Sequence, residues 1–274
     1  MDVRRADLHT HTFYSDGKLS PAALVKKVFE HGIRALAITD HDAIDALVEA
    51  APAAERLGVE LIAGVELSVT IDGGEIHLLG YGFDPLHRDL NEHLRAFRTV
   101  RTDRAAEMLR LLDALGLPLT IEDVLAHAEA GVVGRPHVAQ ALVAAGLVAS
   151  YEDAFSLYLK DHGPAFVPKP LFPAREAIAM VHDAGGIASL AHPGTRTDGR
   201  TIKRLIDVGM DGLETIHPSH GPGLTRRYED MARKYGLIET GGSDYHGVRA
   251  DEDHNLFRYS ISYRRFETIR RSAA

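Results

Sequence analysis

The sequence predicts a parallel α/β fold of barrel type, interrupted by a helical segment, and three observations carry that expectation. Strand and helix patterns alternate over residues 3–84 and again over 173–243, the order that covers a parallel sheet with crossover helices. Six apolar runs each deliver a carboxylate or an imidazole at or near their ends, as strands do at the catalytic face of a parallel barrel. Between roughly residues 100 and 165 no strand pattern occurs.

The first run, Ala6-Asp7-Leu8, leads straight into His9-Thr10-His11. In extended chain, residues i and i+2 point to one side. His9 and His11 therefore aim at one point, and the following loop can return Asp16 to it. Ser20 as N-cap and Pro21 at the first helical position open a helix that Gly32 ends. Arg34 to Asp40 is the next strand, delivering His41. Ala43 to Leu57 is helical and stops at Gly58; Val59 to Thr70 is strand-like and carries Glu66. Asp72-Gly73-Gly74 signals a turn, which makes Glu75 to Tyr81, with His77, the partner strand of a hairpin.

From Leu86 the period changes. Leu90, Leu94, Phe97, Met108, Leu111, Leu112 and Leu115 have helical spacing up to Gly116. Three shorter helical patterns follow, Ile121 to Ala130, Pro136 to Ala145 and Tyr151 to Leu159. This stretch is expected to form a small all-helical insertion capping the barrel mouth. It divides the chain into a first barrel part (1–99), the insertion (100–165) and a second barrel part (166–274). Alternation then resumes: the run Gly186 to Ala191 ends in His192, and Leu237 to Ser243 leads to Asp244 and His246.

With 274 residues, 45% hydrophobic and 26% charged, the composition is that of a soluble protein with a sizeable core. Lys and Arg total 31 and Asp and Glu 39, a net charge of −8, which argues against broad binding to duplex DNA or an anionic membrane. An anionic small substrate stays open, because bound cations dominate local charge. The absence of cysteine excludes disulfides, thiolate ligands and a cysteine nucleophile. The opening Met1-Asp2-Val3-Arg4-Arg5-Ala6 carries no apolar segment and no run approaches a membrane span, so a cytoplasmic location is expected. A ligand set of imidazole nitrogen and carboxylate oxygen suits manganese, zinc or iron.

Four motifs, in order, make a resemblance specific: Asp7-Leu8-His9-Thr10-His11 with Asp16; Thr39-Asp40-His41; the Glu66 and His77 pair; and Ala191-His192-Pro193 with Ser243-Asp244-Tyr245-His246. They resemble the PHP (polymerase and histidinol phosphatase) family. The resemblance covers essentially the whole chain and implies a distorted seven-stranded β/α barrel holding two or three divalent ions, manganese foremost. It also implies the ligand sets: His9, His11, Glu66 and Asp244 for one ion; Asp16, His41 and His246 for a second; Glu66, His77 and His192 for a third, with Glu66 bridging. The insertion with Gly134-Arg135-Pro136-His137, and Ile216-His217-Pro218-Ser219-His220, are similar to the branch of small phosphoesterases acting on nucleoside monophosphates, nucleoside 3′,5′-bisphosphates and short RNA 5′ ends.

The implied reaction is hydrolysis of a nucleotide phosphomonoester, a 3′,5′-bisphosphate or 5′-monophosphate, by a hydroxide bridging the ions. Closely spaced ions acidify such a water and clamp phosphoryl oxygens. A 5′–3′ exoribonuclease on short RNA and a histidinol phosphate phosphatase are the alternative enzymes. A structural or protein-binding PHP module is disfavoured, because every expected ligand position is filled. The expected partners are thus a small phosphorylated substrate, nucleotide or short oligoribonucleotide, with no membrane and no duplex DNA.

The expected catalytic residues are Glu66, His192 and His220, the last as a general acid at the leaving oxygen or as a structural residue behind the ligands. Arg135 and His137 open an insertion helix and can contact phosphate; a surface charge and a capping residue is the other reading. Arg98, Arg101 and Arg104 recur every three residues on one helix face. That face is either solvated or turned to the mouth, and Arg101 is the candidate substrate contact. Lys169, between Pro168 and Pro170, is either a substrate contact or simply exposed.

Overall fold

A computed structural model describes residues 4–128, 132–168, 172–195, 197–248 and 252–273. The first part of the barrel comprises β1 (Arg5–Asp7), α1 (Pro21–Glu30), β2 (Ile33–Ile38), α2 (Ala46–Leu57), β3 (Glu60–Ile71) and β4 (Gly74–Tyr81). The insertion side follows as α3 (Arg88–Ala114), α4 (Ile121–Ala128), α5 (Arg135–Ala144) and α6 (Tyr151–Ala154). The chain then returns through α7 (Ala174–Asp183), β5 (Ile187–Leu190), α8 (Gly199–Asp207), β6 (Gly212–Ile216), α9 (Pro222–Tyr235), β7 (Ile238–Gly241), β8 (Ile261–Ser262) and α10 (Tyr263–Ser272). No described helix is long and apolar enough to cross a membrane.

The strands form one sheet in the order β7-β6-β5-β4-β3-β2-β1-β8. Its ends meet above β1: the Leu8 N–H donates to the Gly241 carbonyl at 3.3 Å and the His11 N–H to that of Tyr245 at 2.8 Å. The result is a nearly closed barrel of eight strands, one more than expected. The extra strand, β8, pairs antiparallel with Arg5 and Ala6. It covers the backbone edge of β1 below the point where β7 takes over. Two residues directly ahead of a helix leave no alternation to read.

Apart from β8, neighbours pair in parallel except around β4, which runs against both β3 and β5. Asp72 and Gly73, at φ 54° and 77°, make the two-residue left-handed turn that suits a tight hairpin. The turn sets Ser68 opposite His77 and Glu66 opposite Leu79. Directly paired residues share a face, so Glu66 and His77 project to the same side. Because β4 is reversed, His77 reaches the mouth from the first half of its strand, Glu66 from inside β3, and the other ligand candidates from the turns that follow strands.

α3 has two apolar footholds. Leu90, Leu94 and Phe97 join the cluster of Val65, Phe172, Ile178 and Leu213. Ala105, Met108, Leu109 and Leu112 join Val124, Val138, Leu142 and Leu159 of the insertion. Between the footholds the helix crosses the polar mouth, and there Arg101 and Arg104 are buried.

Candidate metal centre

Glu66, on β3, is the hub. Its Oε2 lies 3.3 Å from His9 Nε2, 3.4 Å from His11 Nε2 and 3.1 Å from His41 Nδ1. Its Oε1 lies 2.9 Å from His77 Nδ1 and 2.8 Å from His192 Nε2. Five imidazoles from four strand regions thus surround one buried carboxylate. Asp244 Oδ1 stands 3.3 Å from His9 Nε2 and 3.2 Å from His11 Nε2. Asp16 reaches His246 Nε2 at 3.2 Å and His41 Nε2 at 3.9 Å. All nine residues expected as ligands are therefore brought to one mouth.

The local backbone explains the convergence. His9 and His11 leave β1 in extended chain, and Gly242 allows the strand across the seam to pass directly over them: a Cβ there would lie 2.4 Å from the His9 backbone nitrogen. His192 and Asp244 sit at φ 24° and 50°, a region costly for residues with a Cβ and concentrated at functional sites. Buried Asp40 fixes the loop after His11, accepting from the Thr12 N–H at 2.7 Å and from the hydroxyls of Thr12 and Ser15, both at 2.6 Å.

The donor set fits divalent cations. His11 Nε2, Asp16 Oδ1 and His41 Nδ1 are buried without a hydrogen-bond partner, and such atoms are costly unless something polar occupies the space between them. Candidate atoms of His11, Asp16, His41 and His246, of His9, His11 and Asp244, and of His41, Glu66 and His77 lie within 4.8 Å of one another in each group. Without an ion, burial opposes ionisation of Glu66, but the imidazoles of His41, His77 and His9 outweigh it and hold the carboxyl well below the usual range. Burial likewise pushes His41 down to about 3. Burial also acts to lower His246, yet Asp16 and Asp244 prevail and push it up to about 10. Metals bind ionised carboxylates and neutral imidazoles, the forms Glu66 and His41 already take, whereas an ion at His246 would have to displace its proton.

Two cavities flank the cluster. One, of ≈ 180 Å³, is bounded by Asp16, His41 and His77 on the barrel side and by Arg101, Arg104 and Arg135 on the insertion side. The other, of ≈ 590 Å³, opens beside His192, His217 and Asp244, with Thr195, Thr197 and Ser219 on its wall. Arg135 and His77 border both.

The expected substrate contacts divide. Arg101 ion-pairs with buried Asp42 and donates to Ser68 Oγ at 2.9 Å. Arg104 donates through Nε to the Val167 carbonyl at 2.7 Å, while its Nη2 is buried with no partner. Burial, with Arg135 and Arg101 adding, pushes Arg104 down to about 10, so it stays cationic at neutral pH. Arg135 is tethered to Asp161 at 2.7 Å. His137 Nδ1 accepts the Gly134 N–H at 3.0 Å, a cap on α5, and its ring borders the smaller cavity. Arg98 points away and pairs with Asp45 at 2.6 Å. His220 is not brought to the cluster; its Nε2 accepts from the Gly194 N–H at 3.1 Å and its Nδ1 faces the Thr215 carbonyl at 3.2 Å. Lys169 lies outside the described residues.

Sequence reasoning missed Glu214. It is fully buried on β6, with Oε1 3.0 Å from His9 Nδ1 and Oε2 accepting the His192 N–H at 2.6 Å. A carboxylate inside the strand Gly212–Ile216 was the available signal. His217 borders the larger cavity with its Nε2 3.2 Å from Asp244 Oδ2.

A barrel that converges imidazoles and carboxylates at its mouth, beside helices that bear guanidiniums, defines a class: hydrolases that act through divalent metals at a barrel mouth. The chain belongs to the PHP domain family, whose profile matches residues 7–160. It is 36% identical over 249 residues to a 5′-3′ exoribonuclease of Haemophilus influenzae, covering 89% of this chain and 90% of that protein. It is 34% identical over 246 residues to a 3′,5′-nucleoside bisphosphate phosphatase of Chromobacterium violaceum, covering 88% and 86%. The structure of a metal-dependent phosphoesterase from Bifidobacterium adolescentis superposes with a TM-score of 0.89 at 30% identity, covering 98% of this chain and 96% of that one.

Proposed function

We propose that this protein is a divalent-metal-dependent phosphoesterase that removes a phosphate from a nucleotide carrying two phosphates, a nucleoside 3′,5′-bisphosphate. The observation that carries the reading is the smaller cavity, where three guanidiniums face the ligand cluster across a space of ≈ 180 Å³. One phosphate belongs at the cluster. Arg104 and Arg135 bind a second, because Arg suits bidentate contact with phosphate oxygens, while Arg101 stays paired with Asp42 behind them. The Chromobacterium relative, named for bisphosphate substrates, supports the same reading.

His9, His11, Glu66 and Asp244 would hold one ion, Asp16, His41 and His246 a second, and Glu66, His77 and His192 a third. Manganese fits this nitrogen and oxygen set. Bound ions there neutralise phosphoryl charge and acidify an attacking water. The chain's own residues do the rest. Arg104, with its unpartnered Nη2, and Arg135, at the border of both cavities, orient the substrate. The larger cavity receives the nucleoside. His217 accepts the Ser219 N–H at Nδ1, at 3.0 Å, which leaves its proton at Nε2, directed to Asp244. That bond holds the Asp244 carboxylate in place.

Phosphate release from a nucleoside 3′,5′-bisphosphate, a 5′-monophosphate, histidinol phosphate and a 5′-phosphorylated oligoribonucleotide tests the assignment. The bisphosphate should give the highest kcat/KM in manganese. No release from any substrate under metal-replete conditions would sink it. A 5′–3′ exoribonuclease is the second reading, favoured by the ≈ 590 Å³ cavity and by the Haemophilus relative. Its mark in the same panel is release of nucleoside 5′-monophosphates from the oligoribonucleotide.

A further inference from the structure

The cluster has a buried support that none of the expected ligands supplies. Glu214 is fully enclosed and uses both carboxylate oxygens on two different ligand candidates. Oε1 faces His9 Nδ1 at 3.0 Å. Oε2 accepts the backbone N–H of His192 at 2.6 Å. The two imidazoles it joins are stacked, their ring centroids 5.6 Å apart.

We infer that Glu214 is a positioning residue that sets His9 and His192 together for metal binding. The inference rests on the reading of the cluster as a divalent-metal centre. A carboxylate beside Nδ1 accepts only, so that nitrogen carries the proton and Nε2 is left free for a ligand bond. Nε2 is the nitrogen that faces Glu66 and Asp244. The second oxygen anchors His192 where its backbone turns through φ 24°. A conformation disfavoured for a residue with a Cβ persists only if its surroundings hold it, and the Glu214 bond is such a hold. One side chain on β6 thereby aligns ligands from the turns after β1 and β5.

The triplet His9, Glu214 and His217 also has candidate ligand atoms within 4.8 Å. Its internal bonding opposes a separate ion. His9 Nδ1 is bonded to Glu214, and His217 Nδ1 accepts the Ser219 N–H while Nε2 faces Asp244. His9 Nδ1 and both His217 nitrogens are thus committed, and the free His9 Nε2 faces Glu66 and Asp244 instead.

Glu214→Gln is the discriminating variant, because it keeps the volume and removes one acceptor. Two N–H groups then face one amide oxygen. If that oxygen serves His192, the NH2 meets His9 Nδ1 and drives the His9 proton onto Nε2, the ligating atom. If it serves His9, the His192 turn loses its hold. Either way, manganese affinity of the metal-stripped protein, measured by chelator competition, should fall about 10- to 100-fold, as for other partners of metal ligands. Ser189→Ala is the control: it removes a buried barrel bond to Thr240 at 2.9 Å and should leave the affinity unchanged. Wild-type affinity in Glu214→Gln, or an equal loss in Ser189→Ala, would overturn the inference. A reading that needs no variant is the ¹⁵N-histidine spectrum of zinc-loaded wild type. His9 protonated at Nδ1 supports the assignment, and protonation at Nε2 overturns it. If the wild type binds neither manganese nor zinc, the metal reading itself fails. If it binds and Glu214→Gln binds equally, only this inference does.

Discussion

The barrel mouth and the helical insertion meet at one site with opposite chemistry and by different means. The barrel contributes imidazoles and carboxylates, placed by strand register and by the turns that follow each strand. The insertion side contributes guanidiniums, and α3 carries two of them across the mouth only because its ends are seated in separate apolar clusters. Backbone hydrogen bonding fixes the first set and helix docking fixes the second. The cation-binding half of the site is therefore written in local spacing, whereas the half that suits an anion depends on how two cores are joined.

Substitutions on each side sharpen that contrast, and the largest effect belongs to the barrel. Glu66→Gln removes the charge shared by five imidazoles. It should cost about 10⁴-fold in kcat/KM, about 5 kcal/mol, and lower bound metal in elemental analysis. Retained metal with full activity would break the assignment of the hub. Arg101→Ala leaves Asp42 buried beside an empty space, and breaking a buried pair in this way costs about 3–5 kcal/mol. Denaturant unfolding of the metal-free protein should report that loss. An effect confined to KM would move Arg101 from support to substrate contact.

Asp7, below the ligands, tests the barrel by pH. Burial outweighs its bonds to Ser243 and pushes its carboxyl up to about 6. A folded value above the unfolded one gives stability that is complete below about pH 4 and lost as pH rises through 6. Relative to Asp7→Asn, the metal-free wild type should lose about 3 kcal/mol between those limits, read from unfolding midpoints. A pH-independent difference would show that Asp7 ionises freely. Arg104→Ala has the smallest expected effect, about 10- to 100-fold in kcat/KM for a bisphosphate, as for one charged hydrogen bond. Bound metal should not change. An equal loss for substrates with one phosphate would contradict its place at a second phosphate.

Much of this was legible in the sequence, for reasons the residues make plain. His9 and His11 alternate in extended chain, and Asp72-Gly73 announced the hairpin that carries Glu66 and His77. Family and fold class followed from those motifs. Glu214 was not legible, because one acid in Leu-Glu-Thr-Ile looks like a solvated strand position until the barrel closes around it. The arginine spacing put Arg98, Arg101 and Arg104 on one face. Docking then split them into an exposed ion pair, a buried structural pair and a partly unpartnered guanidinium. His220 looked available until the Gly194 N–H and the Thr215 carbonyl were seen to flank its ring.

The join between His11 and Tyr245 has a consequence for time as well as shape. The partners stand near opposite ends of the sequence, and closing so long a loop is slow and comes late in folding. His9 and His11 precede Asp244 and His246 in the chain and wait for them during synthesis before their surroundings are complete. An ion held by both His11 and Asp244, whose candidate ligand atoms stand 3.2 Å apart, would act as a clasp across that join. Metal should then slow the opening of the barrel more than it speeds its formation, and loss of metal would begin where the chain after β1 and the chain after β7 part.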